Sequence, residues 1–102
     1  MQIPKKVRIG GIDYIVKFIP NPCTGNSLCY GIFDSEKCVI ELNSERELTH
    51  DRLCQTFLHE ILHAVAHNQG VDGDDDERMV TAMGRGLFQV IQDNPKVFMP
   101  KV

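Results

Sequence analysis

Two histidines and a glutamate in the segment TFLHEILHAVAH are the residues best suited to do chemistry: His59, Glu60 and His63 spell HExxH, with Ile61 and Leu62 between them. On a helix, side chains four residues apart share one face with Cβ atoms about 6 Å apart, so both imidazoles reach one zinc ion at roughly 2.0–2.1 Å. Glu60 is rotated about 100° from His59 on the same turn, better placed to meet water on that metal than to ligate it. Zinc lowers the pKa of such water toward about 7, and a neighbouring carboxylate can take the proton as the water attacks a carbonyl. The expected cofactor is one zinc per chain, and the expected chemistry is hydrolysis with Glu60 as general base.

Three fixed positions in five residues also arise by chance, as polar positions of an amphipathic helix. What ties them to a metal is the segment around them. Leu53, Phe57, Leu58, Ile61, Leu62, Val65 and Ala66 lie at helical spacing, Thr49 or Ser44 can serve as N-cap, and Gly70 sits where a helix-ending glycine belongs. A helix is expected over about residues 50–69. A second is expected from about Asp75 to Gln92, where Val80, Met83, Leu87 and Ile91 form a stripe, the acidic run suits its N-terminus and Asn94-Pro95 stops it. Gly84 and Gly86 inside it weaken it by about 1 kcal/mol each relative to alanine. Close packing of the two helices would explain them. The tail KVFMPKV has no clear pattern.

The N-terminal half reads as β. Val7, Ile9, Ile12, Tyr14, Val16 and Phe18 recur at period two around Gly10-Gly11, a tight-turn dipeptide. A loop follows in PNPCTGNS, and then CYGIFD and CVIEL flank Ser35-Glu36-Lys37 as a second hairpin. The fold class expected is α+β, a small antiparallel sheet of three to four strands packed with two main helices.

At 102 residues, 42% hydrophobic and 25% charged, the chain is expected to form one domain, residues 1–102, with a single core. No apolar run approaches the roughly 18 residues of a membrane span, and no membrane partner is expected. The net charge of −3, with acids concentrated in DGDDDE, argues against a nucleic-acid footprint. MQIPKKVRIGG has lysines but no apolar segment of an export signal behind them, so a cytoplasmic protein is expected. The cysteines then read as free thiols. Their arrangement, Cys23-x5-Cys29-x8-Cys38-x15-Cys54, contains no CxxC knuckle of the kind that holds structural zinc. Tyr14 and Tyr30 could stabilise an oxyanion, but each reads first as a strand residue packing its ring.

HExxH on a first helix, preceded by a short sheet and followed by an acidic run opening a second helix, resembles the minimal gluzincin, zincin-like architecture of the ImmA/IrrE and SprT-like metallopeptidases. The likeness extends to small metallopeptidase-like proteins of bacteriophages and prophages, in which HEILH is followed by an acidic stretch and a helix similar to GRGLFQVIQDNP here. It runs from YGIFD through DNP. In a phage-encoded protein the compartment would be the host cytoplasm.

Catalytic zinc usually keeps three protein ligands and a water, so a third must be found. His67 lies eight residues from His59, about 12 Å along a continuous helix, too far for both to hold one ion. Metzincins break the helix at a glycine in HExxHxxGxxH, whereas HAVAHNQG has none before Gly70. His67 is therefore expected on the substrate side or the surface. The resemblance implies a glutamate on the second helix, and aligning the GLFQ stretch puts Glu77 at that position. Its longer side chain also favours it over Asp74, Asp75 and Asp76; Asp76, nearer the stripe of Val80 and Leu87, is the alternative. A strictly antiparallel pair would set His63 opposite about residue 81, so the helices must cross or the turn between them must be tight.

The expected function is that of a zinc-dependent metallopeptidase whose peptide or protein substrate aligns along the exposed sheet edge. The alternative is a zinc-containing phage or prophage interaction protein with little or no hydrolysis. A third possibility, zinc that only stabilises the fold, would make Glu60 dispensable.

Overall fold

The computed structural model describes residues 2–20, 22, 30–45, 48–71 and 77–98. Strands β1 (Lys6–Ile9) and β2 (Ile12–Ile19) pair antiparallel, Ile9 opposite Ile12 and Val7 opposite Tyr14. Gly10 and Gly11 make the turn with φ of 59° and 80°. A two-residue connection whose twist suits the strands needs left-handed backbone at both positions, which glycine adopts without penalty. Gly10 is doubly constrained, because a Cβ there would stand 2.7 Å from the amide nitrogen of Asn68.

Strands β3 (Gly31–Asp34) and β4 (Val39–Asn43) form the second hairpin. The Asp34 carboxylate accepts hydrogen bonds from the backbone N–H groups of Glu36 and Lys37, both at 3.0 Å, and fixes the turn. Cys38, expected in the strand, instead closes the turn with φ of 55°.

The sheet is mixed, not wholly antiparallel as the two hairpin signals predict. The strand order is β1-β2-β4-β3, and β2 runs parallel to β4, from Ile15 beside Val39 to Ile19 beside Asn43. Two antiparallel hairpins are thus joined along a parallel seam. The arrangement follows from apolar content: β4 carries Val39, Ile40 and Leu42, all buried, and takes the centre, while β3, half-buried along its length, takes the edge.

Helix α1 (His50–Asn68) lies on this sheet, joining Phe57, Ile61 and Ala64 to Ile9, Tyr14, Val16, Ile40 and Leu42. Of the two N-cap candidates, Thr49 fills the role, its hydroxyl accepting from the Arg52 N–H at 3.2 Å. At the other end Gly70, with φ of 78°, lets the N–H of Val71 reach the Ala66 carbonyl at 2.8 Å and its own N–H reach that of His67 at 3.0 Å. This paired closure satisfies carbonyls the helix end leaves open. Asn68 then ties the helix to the first hairpin, its amide donating to the Ile9 carbonyl at 3.2 Å.

Helix α2 (Glu77–Asp93) packs on α1 through a second cluster of Cys54, Leu58 and Phe88. Truncating a buried phenylalanine such as Phe88 costs about 3–5 kcal/mol. The buried stripe of α2 is Val80, Gly84 and Phe88, flanked by Leu87 and Ile91; Met83, expected to face inward, is 52% exposed. Asp93 ends the helix, and the single turn α3 (Pro95–Phe98) starts at Pro95, where the missing N–H costs nothing. No helix among the described residues is long and apolar enough to cross a membrane.

Candidate metal centre

His59 and His63 stand one turn apart on α1 with their Nε2 atoms 3.1 Å apart and ring centroids 4.7 Å apart. Glu77, first residue of α2, brings one carboxylate oxygen to 2.9 Å from His59 Nε2 and the other to 2.8 Å from His63 Nε2. The two helices approach most closely at Gly84, where a Cβ would sit 3.6 Å from the His59 Cα, in ordinary van der Waals contact. The helix backbones meet at that point, and the long glutamate side chain spans the rest. Glu77 also lies where the N-terminal end of a helix dipole favours a negative charge.

The donor atoms of these three residues all lie within 4.8 Å of one another, and they form the one such group of histidine, cysteine, aspartate and glutamate among the described residues. Two imidazoles and a carboxylate suit a borderline divalent ion. Ligands of a tetrahedral ion at roughly 2.0–2.1 Å are about 3.3 Å apart, so small outward movements would open this set to the required spacing. Burial holds the His59 pKa below the ordinary imidazole value, opposed by Glu77 and assisted by His63 and Arg85. A neutral imidazole is the form that ligates.

Glu60 is not one of the three. Only 6% exposed, it stands outside the ligand group and lines both cavities that open beside it. Burial, and then the charge of Glu77, push its pKa from 4.5 up to about 8. A divalent cation held by its neighbours would oppose both effects and favour the carboxylate.

His67 is not in the ligand group, as the helix spacing requires; its exposed ring stacks edge-on against Phe33 at 5.8 Å and lines one of the cavities. Tyr14 is buried in the core with its hydroxyl toward Asn68, away from the site, whereas Tyr30 lines a cavity with the Arg52 guanidinium 5.3 Å from its ring centroid. Cys54 is buried against His50 Nε2 at 3.4 Å, burial raising its thiol pKa, and the Cys38 thiol meets the Ser35 carbonyl at 3.7 Å. Cys23, Cys29, Asp74, Asp75 and the alternative ligand Asp76 lie outside the described residues.

Sequence reasoning missed Arg52, Thr81 and Arg85 as neighbours of the site. Arg52 carried a usable signal, being seven residues before His59 and so on the same face of α1. Arg85 carried none until the contact at Gly84 was known. Comparison of the chain with protein-family models, curated proteins and solved structures gives no match.

Proposed function

We propose that the chain is a zinc-dependent metallopeptidase of the gluzincin kind. The observation that supports it most is that His59, His63 and Glu77 converge from two helices while Glu60, one residue from a ligand, is kept out of the ligand set and faces open cavities. His59 and His63 would hold the ion as imidazoles and Glu77 as a carboxylate. Zinc bound there would polarise a scissile carbonyl and acidify water. Glu60 would take the proton of the attacking water and pass it to the leaving amine, and its partial enclosure keeps bulk solvent from competing for it.

Strand β3 contributes the substrate platform. It is an edge strand, and Gly31 borders both cavities alongside Glu60. An extended peptide adding to that edge would cross the site with its backbone held by ladder hydrogen bonds. The experiment is incubation of zinc-loaded and chelated protein with an unfolded protein mixture, scored by mass spectrometry for new chain ends. New ends that depend on zinc are expected; none above the chelated control would count against a peptidase.

The alternative, a zinc-containing interaction protein, draws support from one feature. Met79, Met83 and Val90 form an exposed apolar stripe along α2. It differs in leaving Glu60 without a chemical task.

A further inference from the structure

Two cavities of similar size, about 370 and 360 Å³, meet at His59, Glu60 and Glu77 and diverge from there. Their chemistry differs. The first runs between α1 and α2, and beyond the shared end its charged lining is Arg52 and Arg85. Neither guanidinium makes an ion pair with a described residue. Arg52 stacks on the Tyr30 ring at 5.3 Å, a contact that orients the guanidinium without cancelling its charge. In a chain of net charge −3, two arginines from different helices line one cavity, which otherwise carries only the acids Glu60 and Glu77 at its shared end. The second cavity, under β3, is lined by no lysine or arginine, and Ile32, Phe33 and Val71 supply its apolar wall.

We propose that these cavities are two unlike subsites for one peptide: the arginine-lined cavity takes a carboxylate, and the cavity under β3 takes an apolar side chain. The proposal rests on the peptidase reading only for the choice of a peptide as ligand. A guanidinium meets a carboxylate through paired, charge-assisted hydrogen bonds, and two guanidiniums lining one cavity could hold one together. The carboxylate has two possible sources, an aspartate or glutamate side chain or the free C-terminus of the peptide. The cavities are too small and too few in cations for a nucleic-acid backbone, which needs a basic track.

The test uses zinc-loaded Glu60→Gln protein, so that a bound peptide is not consumed, and reads fluorescence anisotropy of labelled decapeptides with blocked ends. Each carries a central phenylalanine and one glutamate moved through every position, and a parallel series carries glutamine instead. A third series has glutamine and a free C-terminus. The expected result is a preference for glutamate of roughly tenfold on one side of the phenylalanine only, weakening with salt. A free C-terminus at the matching distance should substitute for glutamate if the cavity reads any carboxylate. Arg52→Gln and Arg85→Gln should each reduce the preference, and Phe→Ser in the peptide should weaken binding in every variant alike.

Equal binding of the two series, no measurable binding of any peptide, or a preference that survives the double arginine substitution would overturn the proposal. So would displacement of the peptides by a single-stranded oligonucleotide at lower concentration than by unlabelled peptide. Both peptide series offered to the unsubstituted zinc-loaded protein separate the two readings. One-sided preference without cleavage sinks the peptidase and leaves the subsites, whereas cleavage without preference does the reverse.

Discussion

Gly84 of α2 rests against the backbone of His59 of α1, so near that a methyl group on the glycine would stand 3.6 Å from the His59 Cα. That distance is ordinary van der Waals contact, so alanine fits, and atoms beyond its Cβ would have to find room against the His59 backbone. The approach lets a glutamate at the start of one helix reach two histidines on the other.

Gly84→Leu should therefore lower both the melting temperature and zinc affinity, because the side chain must push α2 away from the ligands. Gly86→Ala should do the opposite for stability: a Cβ there meets nothing within 4 Å, and removing a helix-interior glycine gains about 1 kcal/mol. Thermal melts and zinc titrations of the two variants check this. Retained zinc affinity in Gly84→Leu would show that the contact does not position Glu77.

Zinc should bind at one ion per chain, and Glu77→Gln should weaken it by at least about tenfold, since a carboxylate ligand at 2.9 and 2.8 Å from the two imidazoles is replaced by a neutral amide. His67→Ala should leave the stoichiometry intact. Elemental analysis and competition with a chelator are the measurements. Loss of metal in His67→Ala together with its retention in Glu77→Gln would exchange the two residues' roles.

The pH dependence of the metal-free protein follows from Glu60. Its folded pKa, raised to about 8 from 4.5, means the folded state keeps a proton that the unfolded chain has lost. The folded state then binds more protons over that interval, so this contribution to stability is complete below about pH 4.5 and is lost as pH rises toward about 8. The loss is on the order of a few kcal/mol. Chemical denaturation at pH 5 and pH 8 should show it in the metal-free protein, and Glu60→Gln should remove it. Equal slopes in both proteins would mean that Glu60 is not desolvated.

Much of this was legible because its causes are local. The glycine pair of the first hairpin, Thr49 and Gly70 at the ends of α1, and the stop at Asn94-Pro95 each act on their own few residues. The two histidines share a face by helix geometry alone, so their pairing needs no tertiary knowledge. The parallel seam between β2 and β4 was hidden, since each hairpin signals only its own pairing and the order of hairpins is decided by which strand has more to bury. The inward face of α2 departs from the hydrophobic stripe at Met83 for a related reason: the buried face passes through Gly84, where proximity to α1 replaces hydrophobic mass. Glu77 came from resemblance to a family pattern, and its meeting with both imidazoles became visible only in the folded chain.

Glu60→Gln, which preserves side-chain size, tests most directly whether Glu60 acts as a base beside a metal it does not ligate. The measurement is the rate of peptide-bond hydrolysis by the variant relative to the unsubstituted protein, at matched zinc content. Full zinc occupancy with hydrolysis reduced by a factor of about 10² or more is the predicted result, the usual scale for losing a positioned general base. Full occupancy with an unchanged rate would contradict it.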